Sequence, residues 1–251
     1  MNHDWARSHE SNQSTEEATL APVTVKAQRT PDATSEGSGS YTTEATSTAT
    51  GLPLSIRDTP QSVSVVTHER MQDQAMDTVE DALRATPGVS LKSMDRGRNG
   101  LSARGFLITN YQFDGVPMFT GNIGAETIST APFDRIEVVR GATGLLNGAG
   151  DPSAAINLVR KHATSKTFTA TVETELGSWN HRAGTLDLST PLNSDASVRG
   201  RVVLSADAQD AFIDLENTRG SVFYGVVDAD LAPGTRVSVG ASHETRQRNG
   251  V

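Results

Sequence analysis

Two hydrophobic periods alternate along this chain, and the change from one to the other divides it. Over residues 163–251 the period is two. In "TRVSVGASHE", Val237, Val239 and Ala241 alternate with Ser238, Gly240 and Ser242, and the same dyad runs through "FTATVETELGSWNHRAGTLDLSTPL", "ASVRGRVVLSADAQ" and "RGSVFYGVVDADLAPG". Turn residues punctuate these runs at Gly-Ser-Trp-Asn-His 177–181 and at Pro233-Gly234. The pattern predicts about five long antiparallel strands of ~10 residues, apolar on one face and polar on the other. That length suits a transmembrane β-barrel, whose strands need ~9–11 residues. A soluble β-meander alternates in the same way, so pattern alone leaves both open. Five strands cannot close a barrel, and an open edge is not viable in lipid.

Residues 53–162 mix the two periods. A short strand is expected at 62–66. Met71, Ala75, Val79, Ala82 and Leu83 then recur at helical spacing, predicting one helix stopped by Pro87-Gly88. Strand-like pieces follow at 88–94, 100–106, 111–118, 135–141 and 154–161, separated by Gly, Asn, Asp and Pro, with Asp114 expected in a turn. This is the signature of a compact α+β domain of short strands and few helices.

The first texture, residues 1–52, has neither period. Its Thr/Ser/Ala/Gly content offers little to bury, so the segment is expected to be largely disordered. One island, "APVTVKA" at 21–27, alternates Val23 and Val25 with Thr24 and Lys26. It is strand-competent, and a chance β-prone heptamer has the same look.

Composition narrows the function. The formal net charge of −8 argues against a sequence-independent hold on nucleic acid. There are no cysteines, which excludes thiolate metal sites, disulfides and Cys catalysis. No run approaches 18 consecutive apolar residues, so a transmembrane helix is not expected. The start has no apolar core of a signal peptide, so either the protein is not exported or its true start lies upstream.

The stretch "RIEVVRGATGLLNGAGDPSAAINLVRK" places Gly141, Gly144, Gly148 and Gly150 between two strand-like runs. It lacks the Lys and hydroxyl of a phosphate-binding P-loop, and no long helix follows as in a dinucleotide fingerprint. There is no G-x-S-x-G elbow, and the six histidines are scattered singly. No cofactor, resident metal or catalytic constellation is indicated, and an enzyme is not expected. The glycines then supply backbone conformations closed to other residues.

The blocks "TPQSVSVVT", "VEDALRATPGVS", "ARGFLITNYQFDGVPM" and "DRIEVVRGATGLLNGAGDPSAAINLVRK" resemble, in order and spacing, the plug domain of TonB-dependent outer-membrane siderophore receptors. The likeness spans roughly residues 20–251 and is most similar to the ferrioxamine, coprogen and pyoverdine branch. It implies a disordered N-terminal segment (1–52), a plug domain (53–162) and the first strands of an antiparallel barrel (163–251), whose complete form has about 22 strands. The chain is accordingly expected to be an N-terminal fragment of such a receptor.

The resemblance also assigns roles. Pro22, Val23, Thr24, Val25, Lys26 and Ala27 match the TonB box, which pairs with TonB by strand addition, TonB being energised by ExbB and ExbD. Arg104 and Arg140 match arginines that pair with barrel glutamates; those partners would lie beyond Val251, leaving both charges unpaired or solvated. By the same resemblance, Arg96, Arg98, Tyr111, Met118, Phe119 and Asn122 would meet a ferric siderophore of hydroxamate type, whose own oxygens hold the iron. The expected setting is the outer membrane, against lipid, with the plug facing the periplasm. The alternatives are a non-transporting plug-like fragment and a soluble β-rich ligand-binding protein.

Overall fold

The computed structural model describes residues 33–95, 98–118, 127–141, 151–212 and 214–250. An inner unit begins with β1 (Ala45–Thr46) paired to β2 (Leu54–Ser55). β3 (Ser62–Thr67), α1 (His68–Asp73) and α2 (Val79–Arg84) follow. β4 (Val89–Asp95), β5 (Arg98–Ala103) and β6 (Phe106–Leu107) form a small antiparallel sheet. β7 (Asn110–Phe113), β8 (Val116–Met118), β9 (Phe133–Arg140) and β10 (Ala154–Arg160) join β3 in a sheet of order β3-β9-β10-β7-β8. Only the β10–β7 pair of this sheet is parallel.

The central strand β9 explains how this sheet is buried on both faces. Ile136 and Val138 point to one side, where they pack with Val66, Ile156 and Leu158 against Met71, Val79 and Leu83 of the helices. Each fully buried aliphatic side chain there contributes roughly 1.5–3 kcal/mol of transfer free energy. Arg135 and Glu137 point to the other side, yet Glu137 is also fully buried. What covers them is residues 33–52, with Ser35, Ala45, Thr46, Thr48 and Ala49 all buried. The expectation of disorder therefore fails from residue 33 onward. Ser and Thr have little to bury in a hydrophobic core, but they supply hydroxyl and backbone donors to a charged sheet face.

The single helix expected from Met71 to Leu83 is two. Thr67 caps α1 by accepting from the Arg70 N–H. Ala75 then turns left-handed at φ +47° while the Met76 N–H reaches the Met71 carbonyl. Thr78 starts α2 with a capping box completed by Asp81. The break is held from outside: Thr130 donates its N–H to the Asp77 carbonyl and its hydroxyl to the Met76 carbonyl. Helical spacing persists across the break because Met71 and Met76 both enter the core.

The β7–β8 connection is a two-residue turn, Asp114 at φ +49° and Gly115 at φ +80°, so Asp114 is a turn residue as expected. Its carboxylate also accepts from the Arg160 N–H and Nε at 2.8 and 2.6 Å, tying the hairpin to β10.

Five antiparallel strands then form a wall in sequence order: β11 (Thr169–Leu176), β12 (Arg182–Pro191), β13 (Val198–Asp210), β14 (Asn217–Ala232) and β15 (Thr235–Asn249). Their register aligns Val172, Leu186, Leu204 and Phe223 in one cross-strand row. Glu173, Thr185, Ser205, Val222 and Glu244 form the adjacent row on the opposite face. The apolar row faces away from the inner unit: Val172 is 71% and Phe223 46% exposed. The dyad read from the sequence is thus the observed one, and the last three strands run longer than expected, to 13, 16 and 15 residues. Trp179 and Phe212, in the turns at one end, meet edge to face at 5.7 Å.

Candidate functional site

The densest polar chemistry lies where the inner unit meets segment 33–52 and the wall. Glu137 accepts from Arg135 Nε at 2.7 Å, from the Thr48 N–H at 3.2 Å, and from the hydroxyls of Thr46 and Thr48. Arg135 also reaches Asp134 at 2.7 Å, and Asp134 accepts the backbone N–H groups of Ser35 and Glu36. Burial alone would lower the Arg135 pKa, but Glu137 and Asp134 hold it above the ordinary arginine value. Asn157 completes the network by donating to Thr48.

Glu36 passes this network to the wall. It takes a two-pronged contact from Arg201, whose Nη1 reaches Glu36 Oε2 at 2.6 Å. The same guanidinium grips Asp187 through Nε at 2.8 Å and Nη2 at 2.6 Å, and Asp187 also holds Lys161 at 3.0 Å. Burial would raise the Glu36 carboxyl, yet the hydrogen bonds and charge of Arg201 keep it below the usual carboxylate value. Nearby, Asp228 is fully buried and accepts from the Ala163 N–H, with the His162 ring at 3.2 Å.

His68 sits beside this cluster, and burial, reinforced by Lys161, pushes its pKa down to about 4; Glu36 and Asp134 oppose and Arg201 adds to the shift. The fold therefore holds the neutral imidazole, whereas the unfolded side chain titrates near 6.5. Above that pH neither state is protonated and the contribution is complete. As pH falls toward 4 the unfolded chain gains a proton that the folded chain refuses, and stability declines. We expect a loss of about 1–3 kcal/mol across this window. His68→Gln should flatten the difference in thermal melts between pH 7 and 4; an unchanged slope refutes the assignment.

A second seam joins the α1–α2 connection to the wall. Gln72 donates to Glu173, the Ser129 N–H donates to Glu244 at 2.9 Å, and His181 Nε2 lies 3.2 Å from Asp77 and 3.7 Å from Glu175. Burial, then the charge of Glu175, raises the Asp77 pKa to about 6. Asp77 and Glu175 line a cavity of about 50 Å³ together with Glu173 and Asp207.

Arg104 and Arg140 do come together. Arg104 opens the β5–β6 turn at φ +53°, and its guanidinium lies over Gly141. Gly141 has φ +120°, which favours glycine, and a Cβ there would stand 3.0 Å from Arg104 Nη1, so the arginine would have to shift slightly. Arg140 is not simply solvated: it donates to Ser62, Ser64 and the Pro87 carbonyl at 2.6–3.2 Å. Burial and the neighbouring Arg104 lower its pKa. Neither has a carboxylate at ion-pair distance among the described residues.

The remaining sequence-derived positions divide. Residues 22–27, Arg96, Phe119 and Asn122 lie outside the described residues, as does the Arg98 side chain. Met118 ends β8, half-buried, opposite Tyr111. Tyr111 is 4% exposed and belongs to the hydrophobic core, so it cannot pack on a ligand. The resemblance placed it against a ligand, but β7 is an inner member of its sheet, with β10 and β8 on either side.

Residues 55–155 match the TonB-dependent receptor plug domain. The ferripyoverdine receptor of Pseudomonas aeruginosa is 42% identical over 219 residues, which are 86% of this chain and 27% of that receptor. The chain thus spans about a quarter of the relative's length. The crystal structure of the ferripyoverdine receptor of the P. aeruginosa outer membrane, bound to ferripyoverdine, superposes with a TM-score of 0.80 at 41% identity, over 85% of this chain and 29% of that one. The alcaligin outer-membrane receptor FauA of Bordetella pertussis superposes with a TM-score of 0.79 at 42% identity, over 86% and 37%.

Proposed function

We propose, for a chain that carries the plug domain of a TonB-dependent receptor and the first five strands of its barrel, that the complete protein is an outer-membrane importer of a ferric siderophore. One observation carries this reading: a wall with its apolar rows turned outward is tied by buried ion pairs to a folded unit on its polar side. In lipid the outward rows of β11–β15 are solvated by acyl chains, and Trp179 and Phe212 suit the aromatic girdle at one interface.

The siderophore is of hydroxamate type, and its own oxygens hold the iron. Arg96, Arg98, Met118, Phe119 and Asn122 approach it from the plug, with Tyr111 acting only as core beneath them. Arg104 and Arg140 lock the plug to barrel carboxylates, a role that suits two adjacent guanidiniums with no carboxylate at ion-pair distance among the described residues. Pro22–Ala27 add as a strand to TonB. Tension on that strand enters the described chain at Ser35 and Glu36, whose contacts with Asp134 and Arg201 are the first to load.

The test is uptake of radioactive iron by cells lacking their own siderophore receptors and expressing the complete gene. Ferric hydroxamate, ferric catecholate and ferripyoverdine are supplied separately. Uptake of the hydroxamate, abolished by Val25→Pro with surface binding retained, is the expected result. Uptake of another chelate overturns the siderophore class, and uptake insensitive to Val25→Pro overturns the coupling.

A further inference from the structure

Asp77, Glu175 and His181 come from three places: the α1–α2 connection, the end of β11 and the turn that follows it. One ligand atom from each falls within 4.8 Å of the other two, and all three residues are half-buried. His181 Nε2 is 3.2 Å from Asp77 Oδ2 and 3.7 Å from Glu175 Oε2. Tetrahedral zinc with bonds of ~2.0–2.1 Å places its ligand atoms about 3.3 Å apart. The two separations from His181 bracket that value, and the two carboxylate oxygens lie within 4.8 Å of each other.

The charge balance points the same way. Asp77 faces the carboxylates Glu175, Asp207 and Asp81, whose repulsion the neighbouring His181 offsets. Arg246 pairs with Asp207, and Lys161 with Asp187. His181 is also fixed in place: its carbonyl accepts from the Gly177 N–H and its own N–H donates to the Ser178 carbonyl. The adjoining cavity of about 50 Å³, lined by Asp77 and Glu175, leaves room for a fourth ligand.

We propose that Asp77, Glu175 and His181 form a binding site for a first-row divalent cation, with zinc the fitting probe, which staples the plug to the barrel wall. Two carboxylate oxygens, one imidazole nitrogen and a water make a donor set suited to zinc. The plain competing account is His181 hydrogen-bonded between two carboxylates with no ion bound. That bridge takes up no metal, so stoichiometric zinc binding separates the two accounts.

The inference rests on geometry and charge and stands apart from the transport reading. It is tested on the detergent-solubilised complete protein, stripped with chelator and titrated with zinc at pH 7.5. One equivalent is expected, with a rise in melting temperature. Asp77→Asn, Glu175→Gln and His181→Gln should each weaken binding about 10- to 100-fold or more. His162→Gln, at the other His–Asp pair, and His243→Gln, on the outward face, should leave it unchanged. Cobalt(II) should give the visible bands of a four-coordinate site, lost in His181→Gln. Absence of stoichiometric binding overturns the proposal, as does affinity that survives the Glu175→Gln and His181→Gln changes. The cobalt spectrum of the unmutated protein decides the matter even if a variant fails to fold.

Discussion

Glu137→Ala should destabilise the plug by about 3–5 kcal/mol, the range for removing one partner of a buried ion pair. Glu137 is fully buried, and its carboxylate accepts from Arg135, from the Thr48 N–H and from the hydroxyls of Thr46 and Thr48. Truncation leaves Arg135 with Asp134 and removes the carboxylate that accepts from Thr46 and Thr48, leaving Thr48 only its contact with Asn157. The damage should also be local. Hydrogen exchange of amides 45–50 should accelerate far more than that of the β9–β10 ladder, because Ile136 and Ile156 keep their own packing. Glu137→Gln keeps the shape and some hydrogen bonds, so its cost should be about 1–3 kcal/mol. A Glu137→Ala protein with unchanged denaturation midpoint and protected 45–50 amides would show that segment 33–52 docks for other reasons.

That segment is also where the sequence misled. Its Thr/Ser/Ala/Gly content contains no hydrophobic period, and ordinary reasoning treats such stretches as unable to repay their ordering entropy. The signal lay about ninety residues away. β9 alternates Ile136 and Val138 with Arg135 and Glu137, and a strand buried on both faces needs donors for the charged one. Nothing local connects a glutamate to a threonine in another part of the chain. The β11–β15 wall was legible for the opposite reason: a dyad is a local property, and each strand carries it independently. The helix break at Ala75 was hidden because Met71 and Met76 stay core residues across it, although Thr78 and Asp81 formed a capping signature within the predicted helix. Of the candidate site residues, Arg104 and Arg140 converge around Gly141, while Tyr111 turned inward. The ion pairs between plug and wall were invisible, since Glu36, Lys161, Asp187 and Arg201 meet only once the chain has folded back on itself.

Arg201→Ala should be comparably severe, at about 3–5 kcal/mol, and should affect the junction rather than the plug interior. Its guanidinium contacts both Glu36 and Asp187 and donates to the His162 carbonyl at 3.0 Å. Removing it leaves Asp187 with Lys161 and leaves Glu36 without an ion-pair partner among the described residues, with only the more distant charge of Lys161. Arg201→Lys preserves the charge but cannot reproduce two forked contacts, so most of the loss should remain. Glu36→Ala alone should cost less, because Asp187 continues to hold the arginine. The double variant Glu36→Ala/Arg201→Ala should then be less damaged than the sum of the two, by about 1–3 kcal/mol of coupling. Additive losses would mean that Glu36 contributes no specific interaction and that the wall is held through Asp187 and Lys161. A measurable coupling would make Glu36 the link between segment 33–52 and the β11–β15 wall. If the N-terminal segment is pulled as proposed, Arg201 would leave one anion while staying paired with the other, so that first step would not strand a buried charge.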